Sequence, residues 1–203
     1  MNFFGHAAIA SWSHTAPGVA LGAMVPDFAT MCRAKVPTSA DAAITDGIAL
    51  HHRTDAAFHH LPVVTGLMRE LDDRLARGGC ARGPRRAVAH VGMELLLDGV
   101  LVTDAGYRAS YLAGVAHDGE LTWTDGGTRF AVLLGRLRAY GVPDDLQRPE
   151  AIAQRLARIL AGRPLIEPSA SDLHAIRTAL AEHAPRVAVA AETVMRGMRA
   201  ALG

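Results

Sequence analysis

Aromatic residues are scarce in this chain, at 5%, and cysteines number only two, Cys32 and Cys80. They stand far apart with no C-x-x-C pair, so a thiolate zinc finger is excluded. Two ordinary thiols in a reducing cytoplasm fit best, and a single disulfide stays open on sequence alone. An excess of one charge is missing too: 21 Lys and Arg face 20 Asp and Glu, a net charge of +1. No overall field draws the chain to nucleic acid or to an anionic membrane, so an acidic partner would have to be met by a local patch. No apolar run reaches the ~20 residues that cross a bilayer. The opening MNFFGHAAIASWSH lacks the positive n-region of a secretory signal and carries His6 inside its apolar run. A P-loop, a G-x-G-x-x-G after a strand and a G-x-S-x-G elbow are all absent. A cytoplasmic location is the expectation that follows.

What is present is a chain of 203 residues, 50% hydrophobic and 20% charged, enough for one globular domain with a sizeable core. Its apolar periodicity is helical almost throughout, and no alternating strand appears. The expected fold is therefore all-α, a single-domain helical bundle over residues 1–203. The first helical segments cover about 2–12 and 17–33, the second interrupted at Pro26-Asp27 because proline removes a helical donor. Thr38 and Asp41 read as a T-x-x-D capping box opening a third helix to His60. Pro62 starts a fourth, which Gly78-Gly79 stops, and Pro84 opens a fifth. Helices over 104–116, 128–140 and 149–161 follow, with a turn-rich loop at 117–127. Ser169 and Asp172 cap a long tail expected to break near Pro185.

Ten histidines are the compositional oddity. Positions four apart on a helix differ by only about 40° in azimuth. His51, Asp55 and His59 therefore form one stripe, and His90, Glu94 and Asp98 a second on a helix apolar nearly all round. Ionisable groups on a buried helix are expensive unless paired or metal-bound. Imidazole and carboxylate together suit Mn, Fe, Zn or Mg better than a thiolate metal. Facing helices of a bundle are where such sites are built. His51, Asp55 and Asp98 are the leading candidate ligands, then Asp27 and His90, with His6 orienting a ligand. Asp27 reads equally as a cap. Arg53 would clamp a phosphate, and Glu94 or His59 would move the proton. Phosphoester hydrolysis is the reaction these parts would serve. The loop RGGCARGPRR and its surroundings cluster Arg74, Arg77, Arg82, Arg85 and Arg86, either a soluble loop or a basic patch.

Four stretches, MNFFGHAAIA, GAMVPDF (22–28), GIALHHRTD (47–55) with Pro62 after it, and ELLLDGVL (94–101), resemble the acyl carrier protein phosphodiesterase family, helical proteins related to HD-domain metal hydrolases. The resemblance implies an HD-like fold. It makes His6, Asp27, His51, Arg53, Asp55, Glu94 and Asp98 the matching polar positions. It implies a divalent cation, manganese first, and cleavage of the phosphodiester joining phosphopantetheine to a serine of acyl carrier protein. That acidic partner would give the arginines at 74–86 a docking role. The chain departs from the pattern at Gly99, where the family has histidine after the aspartate, and at His59, where aspartate is usual. A paralogue with another phosphoester substrate fits these departures. The alternative is a non-catalytic helical module that binds a small ligand or an acidic protein.

Overall fold

A computed structural model describes residues 1–13 and 16–203. The described residues are helical with no strand, as expected: nine α-helices and one 3-10 turn. The helices are α1 (Phe3–Ala10), α2 (Pro17–Met31), α3 (Ala42–His60), α4 (Pro62–Arg77), α5 (Arg82–Leu101), α6 (Ala105–Ala116), α7 (Gly127–Tyr140), α8 (Pro149–Leu160) and α9 (Ala170–Leu202). They fold as two compact units, one of Met1–Ala56 with Leu101–Pro143, the other of Ala57–Val100 with Asp144–Gly203.

In the first unit α1 and α6 pack on α2, and α7 packs on α2 and α6. The few aromatic residues concentrate here: Phe3 lies 5.5 Å from Phe28, Phe4 5.3 Å from Tyr111, and Trp123 4.9 Å from Phe130, centroid to centroid. Offset and tilted rings of this kind add to their large buried area. Helices α2 and α3 meet backbone to backbone. A β-carbon on Gly22 would collide with the Ile44 carbonyl, and one on Gly47 with the Val19 carbonyl. Only glycine permits this approach.

The second unit has an aliphatic core. Val64, Leu67, Leu71 and Leu75 line one stripe of α4, and Ile152, Leu156 and Leu160 one stripe of α8. Both helices lie on α9. The spacing of these residues is the 3–4 repeat of an amphipathic helix.

Pro17, Pro62 and Pro149 each stand in a first turn, where the missing N–H costs nothing. The box at Ser169 and Asp172 forms with both reciprocal hydrogen bonds. Four local expectations need correction. Helix α2 runs unbroken through Pro26, where the Thr30 hydroxyl donates to the Pro26 carbonyl one turn earlier. Helix α9 likewise runs 33 residues through Pro185. Helix α5 opens at Arg82, so Pro84 sits inside its first turn. No T-x-x-D box forms: Asp41 caps α3 by itself, accepting from the Ala43 N–H at 2.8 Å, while Thr38 exchanges backbone hydrogen bonds with Thr122. Cys32 and Cys80 are free buried thiols. Burial, with Asp172 beside it, pushes the Cys80 thiol up to about 12. No helix among the described residues is long and apolar enough to cross a membrane.

Candidate metal centre

The candidate donors gather in two triads, each built within one unit. The first joins three helices: His6 from α1, Asp27 from α2 and His51 from α3, with ligand atoms all within 4.8 Å of one another. His6 is fully buried and His51 only 7% exposed. Their ring centroids lie 3.9 Å apart, with the planes tilted by 31°. The close approach of α2 and α3 at Gly22 and Gly47 brings His51 against α2, so that its Nδ1 sits 2.8 Å from the Ala23 carbonyl.

Hydrogen bonding fixes the tautomer of both rings. A carbonyl only accepts, so His51 Nδ1 must carry the proton and donate it to Ala23. The Thr54 hydroxyl spends its proton on the His51 carbonyl at 2.9 Å. It therefore accepts from His6, whose Nδ1 lies 2.8 Å away. Both rings are left with Nε2 as a lone-pair atom. His6 Nε2 is buried and has no hydrogen-bond partner. A histidine anchored through Nδ1–H with Nε2 free is the usual arrangement of a metal-ligating imidazole.

Electrostatics point the same way. Burial, reinforced by the neighbouring His51, holds His6 well below the ordinary imidazole range. Burial lowers His51 as well, against the opposing effect of its bond to Ala23. Both rings are thus neutral at pH 7, the form that binds metal. Asp27, half-buried, supplies the carboxylate. Two imidazoles and one carboxylate leave coordination positions open for water and substrate. These groups fit a divalent cation.

The second triad is His59 at the end of α3 with His90 and Glu94 of α5. Glu94 Oε1 is 3.0 Å from His90 Nε2 and 3.5 Å from His59 Nε2. Burial opposes the charge on Glu94, yet its carboxyl is held below the usual range, with the His90 hydrogen bond among the causes. The α5 stripe descends into the core: His90 is half exposed, Glu94 nearly buried and Asp98 fully buried.

The remaining candidates lie elsewhere. Asp55 is ion-paired with the Met1 ammonium at 3.2 Å. Asp98 belongs to neither triad. Arg53 is exposed, two residues and so about 200° around α3 from His51. Next to Asp98, Gly99 is closed to any side chain, because a β-carbon there would collide with the Leu146 carbonyl. Of the five arginines, Arg74 pairs with Glu182 and Arg85 with Asp72, both at 3.0 Å, while Arg77, Arg82 and Arg86 are exposed. Sequence reasoning missed Thr54 and the Ala23 carbonyl. Thr54, three residues after His51 on the same helix, was the legible one. The chain matches no family model, no curated protein and no solved structure.

Proposed function

We propose that this chain is a metal-dependent phosphoester hydrolase, with His6, Asp27 and His51 as the ligands of its divalent cation. The observation that carries this reading is the paired anchoring of the two rings, with His6 Nε2 buried and unpartnered. A bound cation would polarise a phosphoryl oxygen and acidify a water. The chain's own part is to hold the two rings oriented and neutral. Thr54 and the Ala23 carbonyl orient the rings, burial keeps them neutral, and Asp27 supplies negative charge.

The finer reading rests on the motif resemblance: manganese as the cation and the phosphopantetheine diester of acyl carrier protein as substrate. Exposed Arg77, Arg82 and Arg86 offer positive charge to so acidic a partner. One observation favours the non-catalytic module instead. The family's histidine position is Gly99 here, and packing against Leu146 keeps it side-chain-free. Metal analysis combined with hydrolysis of bis(p-nitrophenyl) phosphate decides between the two. The hydrolase takes up one manganese through this triad, turns over the diester, and loses both in Asp27→Asn. Cation uptake without turnover would leave the module, and no uptake at all would remove the hydrolase.

A further inference from the structure

The second triad is not needed by that proposal, yet its geometry is that of a ligand set. Ligands about 2.0–2.2 Å from a tetrahedral zinc ion stand about 3.3 Å from one another. Glu94 Oε1 lies 3.0 Å from one imidazole Nε2 and 3.5 Å from the other, which brackets that separation. The two ring centroids are 4.7 Å apart and the planes are tilted by 44°. The carboxylate is 9% exposed, whereas His90 and His59 are 52% and 27% exposed, so solvent reaches the cluster from the side of the two rings.

We propose that His59, His90 and Glu94 form a second, solvent-accessible site for a borderline divalent cation, zinc or nickel. Two imidazoles with a single carboxylate select these ions over magnesium and calcium, which want an oxygen shell. A bound ion would clamp the end of α3 to α5, two segments of the same unit that Glu94 already bridges through its contacts with His59 and His90. The ligands are side chains on regular helices, so the site needs no loop rearrangement to form.

Calorimetric titration of the metal-stripped full chain with zinc chloride tests this. The wild type takes up two equivalents. His90→Ala and Glu94→Gln each lose one and keep the other, while Asp27→Asn keeps the one that His90→Ala loses. His90 is on the surface, so its replacement leaves the fold intact by circular dichroism. His52→Ala/His60→Ala, which removes two nearby histidines outside the triad, keeps both equivalents. Magnesium at a hundredfold excess does not displace the His90-dependent ion. If His90→Ala and Glu94→Gln bind zinc like the wild type, the triad is an ion-paired cluster only and the proposal falls. It falls equally if the His52/His60 variant is the one that loses the ion. Loss of the Asp27-dependent equivalent alone from the wild-type profile would count against the hydrolase reading and leave this one standing.

Discussion

The two triads use nearly the same side chains in opposite settings. His6, Asp27 and His51 are brought together by three helices, and an outer layer, Thr54 and the Ala23 carbonyl, dictates which nitrogen of each ring is free. His59, His90 and Glu94 come from two helices, with both rings partly exposed and both brought to a single oxygen of a nearly buried carboxylate. The difference teaches that ligand-type residues close together do not define a site by themselves. What separates the two is how the surroundings prepare the rings: in the first triad burial disfavours protonation and a hydrogen bond through Nδ1 anchors each ring, while the second is built around one nearly buried carboxylate that both rings approach.

The largest contrast comes from the ligands. Asp27→Asn and His51→Ala each weaken the first site by more than the ~10–100-fold that loss of an outer-layer partner brings, read by competition with a chromophoric chelator. Thr54→Val tests the outer layer itself. It removes the acceptor of the His6 Nδ1–H, and cation affinity falls by about 10–100-fold, with Thr54→Ser restoring most of it. A smaller effect is expected on stability. Gly47→Ala forces α2 and α3 apart and costs about 1–3 kcal/mol in urea unfolding. Gly66→Ala on α4, where an added methyl meets nothing, stabilises by up to about 1 kcal/mol.

Acid separates the triads in a further way. The folded-state pKa values of His6 and His51 lie below that of an unfolded histidine, so the unfolded chain binds more protons as pH falls. Their share of stability is fully present above about pH 6.5 and is lost progressively below it. Buried His183 of the second unit adds in the same direction. Glu94, held low, keeps its share above about pH 4.5 and loses it only as pH drops through its own lowered value. Thermal melts of metal-free protein from pH 7.5 to 4 should show the first loss near 6, and His51→Ala should shrink it. An unchanged profile in that variant would place the titration elsewhere.

Much of the helical layout was legible because it is local chemistry. Pro17, Pro62 and Pro149 open helices, Gly78 and Gly79 end one, and Ser169 with Asp172 caps another. The continuity of α2 through Pro26 and of α9 through Pro185 was not legible. A proline costs one hydrogen bond and some crowding, and packing on both sides of it outweighs that loss. The same limit applies to the site. Asp27 stood out at the Pro26 interruption and His6 as an isolated histidine in an apolar run; spacing identified His51 but grouped it with Asp55 and His59, its helical neighbours. The structure gives those three residues different partners: the first triad, the Met1 ammonium and the second triad. Which side chains on other helices meet them depends on the glycine contact between α2 and α3, and no periodicity in one segment encodes that.

The central claim, that His6 and His51 ligate one cation through Nε2 while each Nδ1 keeps its proton and donates it to the Thr54 hydroxyl or the Ala23 carbonyl, is tested most directly by proton NMR of the cobalt-loaded chain. In a His90→Ala background, two exchangeable ring N–H signals should appear far outside the diamagnetic range. Both should exchange slowly with solvent, one vanishing in His6→Ala and the other in His51→Ala. A spectrum with no such shifted N–H signals, or with signals that survive both substitutions, would contradict the account.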